Sequence, residues 1–155
     1  MTTVLLLSLL IGIVTGLRSL TAPAAVSWSA YVGRLNLAPT SLAFMGYLWT
    51  PWIFTVLAVV ELITDQLPTT PSRTAPVGLG ARIFSGALCG ASIGASQGLL
   101  AGGLIAGVVG AIAGTFGGHA FRAWLAALFG NDRPAALIED AIAILGAWLV
   151  VSSVR

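Results

Sequence analysis

Apolar residues fill most of this chain in long blocks, interrupted at a few places by charge, proline or glycine. The first block, Thr3–Leu17, stops at Arg18. A membrane-spanning helix needs about 20 residues, with roughly 17 as a lower limit, so this block is marginal unless it continues past Arg18. The following Ser19-Leu20-Thr21-Ala22-Pro23 predicts a restart, with Thr21 as cap and proline in a first helical turn. Pro23–Leu35 is too short to cross alone. Thr3–Leu35 therefore reads as a broken span, or as a span followed by a half-helix, because irregular backbone at that depth must be satisfied by protein or water.

Asn36–Thr50 reads as a loop with a short apolar patch. Thr50 and Pro51 then predict a helix start, flanked by Trp49 and Trp52 as interfacial aromatics. Pro51–Gln66 should be helical up to the restriction imposed by Pro68. Glu61 then lies about 15 Å beyond Pro51, near the middle of a roughly 30 Å hydrocarbon core. From Ser85 the pattern becomes a glycine ladder, with Gly86, Gly90, Gly94, Gly98 and Gly102 spaced by four and the register resuming at Gly110, Gly114 and Gly118. That spacing puts small residues on one stripe, where helix backbones approach closely in lipid. A reversal near Ser96-Gln97-Gly98 gives helices at about Leu79–Gln97 and Leu99–Gly117. After a break at Gly117-Gly118 come a short amphipathic helix, His119–Phe129, and a final span, Pro134–Ser153, entered through Asn131-Asp132-Arg133-Pro134.

The fold class is thus an all-α integral membrane protein with about five membrane helices, some broken or half-length, in a single membrane domain. Its two ends share a plan: Gly-x-x-x-Gly, a break, a Trp-bearing short helix, then a proline-started helix carrying two acids. Units 1–67 and 99–155, joined by the odd helix 79–97, would make an inverted repeat with a site near the midplane. Glu61 and Glu139 lie at different distances from their prolines, so the two acid pairs do not match in depth.

Composition sharpens the class. Of 155 residues, 57% are hydrophobic and 8% charged, with a mean hydropathy of +0.99, far from the roughly 25% charged content of soluble domains. The first block lacks the basic leader of a signal peptide and is followed by equally apolar sequence, so it is retained as a membrane segment. All seven cations are arginine, the better bidentate partner for carboxylate or phosphate; a GC-rich genome accounts for the same bias. A net charge of +2 is too small and dispersed for nucleic acid. Cys89 stands alone and reads as a small packing residue.

The candidate chemistry lies mainly in Glu61–Arg82, a charged, proline-studded stretch between apolar runs. Glu61 and Asp65 share a helix face and are expensive to keep in a membrane. They fit a proton carrier, or partners for Arg18, Arg73 or Arg82; a structural ion pair is the bland alternative. Arg18 beside the start of a half-helix fits an anion-binding pair, or an arginine that snorkels or pairs with an acid. Glu139 and Asp140 follow the start of the last helix, where its dipole favours acids. His119 and Arg122 lie three apart on one face. No nucleophile motif, phosphate loop or ligand-spaced cluster occurs, so catalysis is not indicated and no cofactor or metal is expected.

With Gly16-Leu17-Arg18-Ser19-Leu20-Thr21-Ala22-Pro23-Ala24, Glu61-Leu62-x-x-Asp65-x-x-Pro68-x-x-Pro71-x-Arg73-x-x-Pro76 and Leu137-x-Glu139-Asp140, nearly the whole chain resembles a family of small bacterial inner-membrane proteins known only as a domain of unknown function. The resemblance implies a multi-pass protein of the bacterial cytoplasmic membrane and no particular activity. The leading expectation is a small transporter or channel for an anionic or proton-coupled solute, in contact with the lipid bilayer and homo-oligomeric, whose polar site holds Arg18, Glu61, Asp65, Arg73, Arg82, Glu139 and Asp140. A lipid-binding protein or lipid-modifying enzyme, and a structural or assembly protein using the glycine stripe, are the alternatives.

Overall fold

A computed structural model describes residues 1–65 and 74–154. Within them run six α-helices: α1 (Thr2–Leu17), α2 (Thr21–Tyr31), α3 (Thr50–Thr64), α4 (Pro76–Ala95), α5 (Leu100–Phe129) and α6 (Asp132–Ser153), with a 3-10 turn at Ala43–Gly46. Helices α4, α5 and α6 are long and apolar enough to cross a membrane, which marks a membrane protein. Helices α1 and α3, at 16 and 15 residues, are apolar but shorter. They reach about 24 and 22 Å against a roughly 30 Å core. The five expected spans therefore become three helices of spanning length and two that fall short of it.

Glycine sets the packing of α1, α4 and α5. On α4, Gly86, Gly90 and Gly94 face Gly107, Gly103 and the start of α5, so these two helices run antiparallel. On α1, Gly12 faces Gly107 and Gly16 faces Ala111, Gly114 and Thr115, so α1 runs parallel to α5. A Cβ added to Gly107 would stand 2.1 Å from the Gly86 carbonyl oxygen. The ladder on α4 keeps its expected register, whereas α5 meets α4 through Gly103 and Gly107 and meets α1 mainly through Gly110 and Gly114. The small-residue stripe is consumed inside the chain, where close backbone approach substitutes for bulky side-chain packing.

Two expectations are corrected here. Helix α5 passes through Gly117-Gly118 without a break for 30 residues. Glycine costs about 1 kcal/mol in a helix interior but does not by itself end a helix, and α5 is held on either side of this pair, by α1 at Gly114 and by α6 through Arg122 and Asp132. The chain reverses instead at Gly98 and Gly130, both at positive φ (73° and 65°), a conformation open to glycine without steric cost. The two Gly-x-x-x-Gly helices, α1 and α5, also run parallel, whereas inverted units would hold their corresponding helices antiparallel.

Helix α2 turns back from the end of α1 and lies between α3 and α6. It is antiparallel to α3: Trp28 Nε1 donates to Thr55 Oγ1 at 3.0 Å, and the Trp28 ring meets Trp52 edge-on at 5.2 Å. The end of α1, the start of α2, the end of α3, the start of α4 and the second turn of α6 consequently gather at one end of the three-helix core. All five acids of the chain, Glu61, Asp65, Asp132, Glu139 and Asp140, belong to that end. Arg18, Arg82 and Arg122 share it, while Arg34 follows α2 at the opposite end.

Candidate functional site

Helix α1 closes at Leu17 because Arg18 takes an extended conformation (φ −139°, ψ 116°) while its N–H still donates to the Val14 carbonyl at 2.9 Å. The extended step turns the Arg18 side chain into the protein, where it is fully buried. Its guanidinium meets Asp65, the residue ending α3, and Asp140 of α6. The Nε–H donates to Asp140 Oδ1 at 2.6 Å. Both carboxylates retain some solvent access, with side-chain exposures of 17% for Asp65 and 11% for Asp140. One cation thus ties three helices together, and one guanidinium is shared by two carboxylates. A charged side chain at this depth persists only when paired in this way.

Glu61 sits one turn before Asp65 but does not pair with Arg18. Its carboxylate accepts from the Ser19 N–H (2.8 Å), the Ser19 hydroxyl (2.5 Å) and the Leu20 N–H (2.9 Å). These groups form the leading edge of α2, whose first N–H groups have no partner inside the helix. Pro23, in the first turn, lacks an N–H where none could be bonded within the helix. The expected Thr21 cap is displaced: Leu20 holds the cap position, Thr21 is the first helical residue, and its hydroxyl has no hydrogen-bond partner among the described residues. Glu61 does the capping from another helix. A carboxylate on two backbone N–H groups and a hydroxyl at a helix N-terminus occupies the geometry in which proteins bind free anions.

The acids of α6 divide between two arginines. Asp140 turns to Arg18, and the fully buried Glu139 carboxylate stands 3.6 Å from Arg122 Nη1. Arg122 also forms a two-point pair with Asp132, at 2.9 and 2.6 Å. Asn131 caps α6, accepting from the Arg133 N–H at 3.2 Å. Arg82, also buried, donates to the Gly78 carbonyl at 3.1 Å in its own helix, one turn before the level at which Gly86 faces Thr15. Among the described residues no three His, Cys, Asp or Glu side chains are grouped to hold a metal ion.

Of the seven residues singled out from the sequence, Arg18, Asp65 and Asp140 meet directly. Glu61 lies beside them on the main chain of Ser19 and Leu20. Glu139 and Arg82 are buried at the same end. Arg73 lies outside the described residues. Arg122, noted for sharing a face with His119, turns instead to Asp132 and Glu139, while His119 is exposed. The sequence reading missed Ser19 and Leu20 as binding groups. Their signal was present: a break followed by a proline-bearing helix leaves N–H groups free at its start. Glu61 stands in the last turn of the 15-residue α3, at the end of a helix and not midway along a complete span.

The fold and this cluster define an all-helical membrane protein with a buried, ion-paired arginine where its helices end. No family model, curated protein or solved structure matches the chain.

Proposed function

We propose that the protein is a small membrane transporter that exchanges an anionic solute against its own Glu61, with proton movement coupled to the exchange. The observation that carries this reading is the seat of Glu61: three donors at the start of α2, next to the Arg18 guanidinium, hold a carboxylate that belongs to the protein. A solute anion arriving at that seat would make the same hydrogen bonds and would release Glu61. A bound solute anion and the released carboxylate together would put two negative charges beside the shared Arg18, and a proton moving with the solute would offset one of them. Anion entry and proton uptake are thereby linked without any further group.

The ion pair supports the same reading. The Arg18 guanidinium is shared by Asp65 and Asp140, and both carboxylates still touch solvent, so an arriving solute or proton can reach them. The acids and arginines come from α1, α3 and α6, so loading and unloading would alter the contacts between helices. Such differential contact is what a transport cycle requires.

The test is reconstitution in liposomes with a trapped pH indicator and imposed gradients of chloride, nitrate, phosphate, sulfate or succinate. At least one anion gradient should move protons, and Glu61→Gln should lower that coupled movement tenfold or more while Arg133→Gln, at an exposed position in the first turn of α6, leaves it unchanged. Wild-type vesicles no more permeable than empty ones to all five anions, or full coupling retained in Glu61→Gln, would overturn the assignment.

A further inference from the structure

At the other end of α2 the structure offers a second site of different chemistry. A cleft of about 720 Å³ lies between α2, α3 and α6, within the roughly 300–1,000 Å³ range of small-molecule sites. Its walls are mainly apolar, with Trp28, Val59, Leu62, Trp148 and Val151 among them, and Arg34 stands on its rim. We propose that this cleft holds one acyl chain of an anionic phospholipid, with the headgroup phosphate at Arg34.

Length, charge and hydrogen bonding converge on this occupant. Helix α2 has 11 residues, about 16 Å at the helical rise, which is close to half of a roughly 30 Å hydrocarbon core and so to the reach of one leaflet's chains. Arg34 is exposed and pairs with no carboxylate among the described residues, and all five acids lie at the opposite end of the fold. The field at this rim therefore favours an anion. The Ser29 hydroxyl lines the cleft, is 96% buried (4% exposed) and has no hydrogen-bond partner among the described residues.

Ser29 also fixes where Arg34 stands, since the Arg34 N–H donates to the Ser29 carbonyl at 2.9 Å. A hydroxyl donor inside the mouth and a guanidinium just outside it match, in order, the ester carbonyl and the phosphate of a glycerophospholipid. Trp28 is held as a wall by its bond to Thr55 and its contact with Trp52. At the far end Thr21 marks where the apolar part of the cleft meets the charged cluster, which limits how far a chain can reach. A helix of a second copy, about 10–12 Å across with its side chains, needs a broad face and not a cleft with a single charge on its rim.

The experiment is native mass spectrometry of the purified protein in mild detergent with added dioleoylphosphatidylglycerol or dioleoylphosphatidylcholine, which share chains and differ in net headgroup charge. Wild type should retain one phosphatidylglycerol with roughly tenfold preference over phosphatidylcholine. Arg34→Gln, at an exposed position, should lose the preference, and Ala24→Phe, which fills the cleft from α2, should lose retention of both lipids while its helical circular dichroism is unchanged. Equal retention of the two lipids by wild type, a preference that survives Arg34→Gln, or retention that survives Ala24→Phe would overturn the proposal. A lipid-free dimer as the dominant species would assign the cleft to a second copy and overturn it equally.

Discussion

Arg18 and Asp140, separated by 122 residues, are joined inside the protein by a 2.6 Å hydrogen bond from the arginine Nε–H. The same guanidinium reaches Asp65. Removing it should be among the most damaging single changes in the chain, because it strands two carboxylates at once. Arg18→Gln is expected to cost about 3–5 kcal/mol, read as a fall in the thermal midpoint in detergent. The double variant Arg18→Gln with Asp140→Asn should regain part of that loss, since one stranded charge is gone. An equal midpoint for the single and double variants would show that the pair is not coupled.

The seat of Glu61 makes a separate prediction. Glu61→Ala opens the start of α2 and leaves the Ser19 and Leu20 N–H groups without their acceptor, at a cost of about 1–3 kcal/mol. Added sulfate or phosphate should then raise the thermal midpoint of Glu61→Ala more than that of wild type, because an anion that binds only the folded state stabilises it by mass action. Identical responses of the two proteins to both anions would contradict the surrogate-anion account.

The glycine contacts separate two kinds of glycine on one helix. Gly107→Ala drives a Cβ toward the Gly86 carbonyl oxygen, 2.1 Å away, whereas a Cβ on Gly117 meets nothing within 4 Å. Gly107→Ala should destabilise by about 1–3 kcal/mol or force α4 and α5 apart. Gly117→Ala should be neutral or stabilising by up to about 1 kcal/mol, through helix propensity. Parallel thermal melts decide this.

Arg122 links an exposed acid and a buried one. The Asp132 side chain is 61% exposed, so Asp132→Asn is expected to change stability by no more than about 1 kcal/mol. Arg122→Gln also removes the guanidinium beside the fully buried Glu139 and should cost clearly more. Restoring stability in Arg122→Gln by adding Glu139→Gln would confirm that the difference lies in Glu139.

The sequence by itself determined the membrane class, the helix at α4, the start of α6 at Asn131 and the reversal near Gly98. These follow from local causes: apolar length, proline geometry, caps and the cost of charge in lipid. Which charge meets which was not legible, because partners such as Arg18 and Asp140 are distant in the chain and any of several acids could serve an arginine equally well on paper. Only the tertiary structure decided that Glu61 caps α2 in place of Thr21, that α5 runs unbroken through Gly117-Gly118, and that α1 lies parallel to α5. In the first two cases the local preference amounts to about 1 kcal/mol, which the packing of whole helices outweighs; the direction of α1 against α5 has no local determinant and is set by that packing alone.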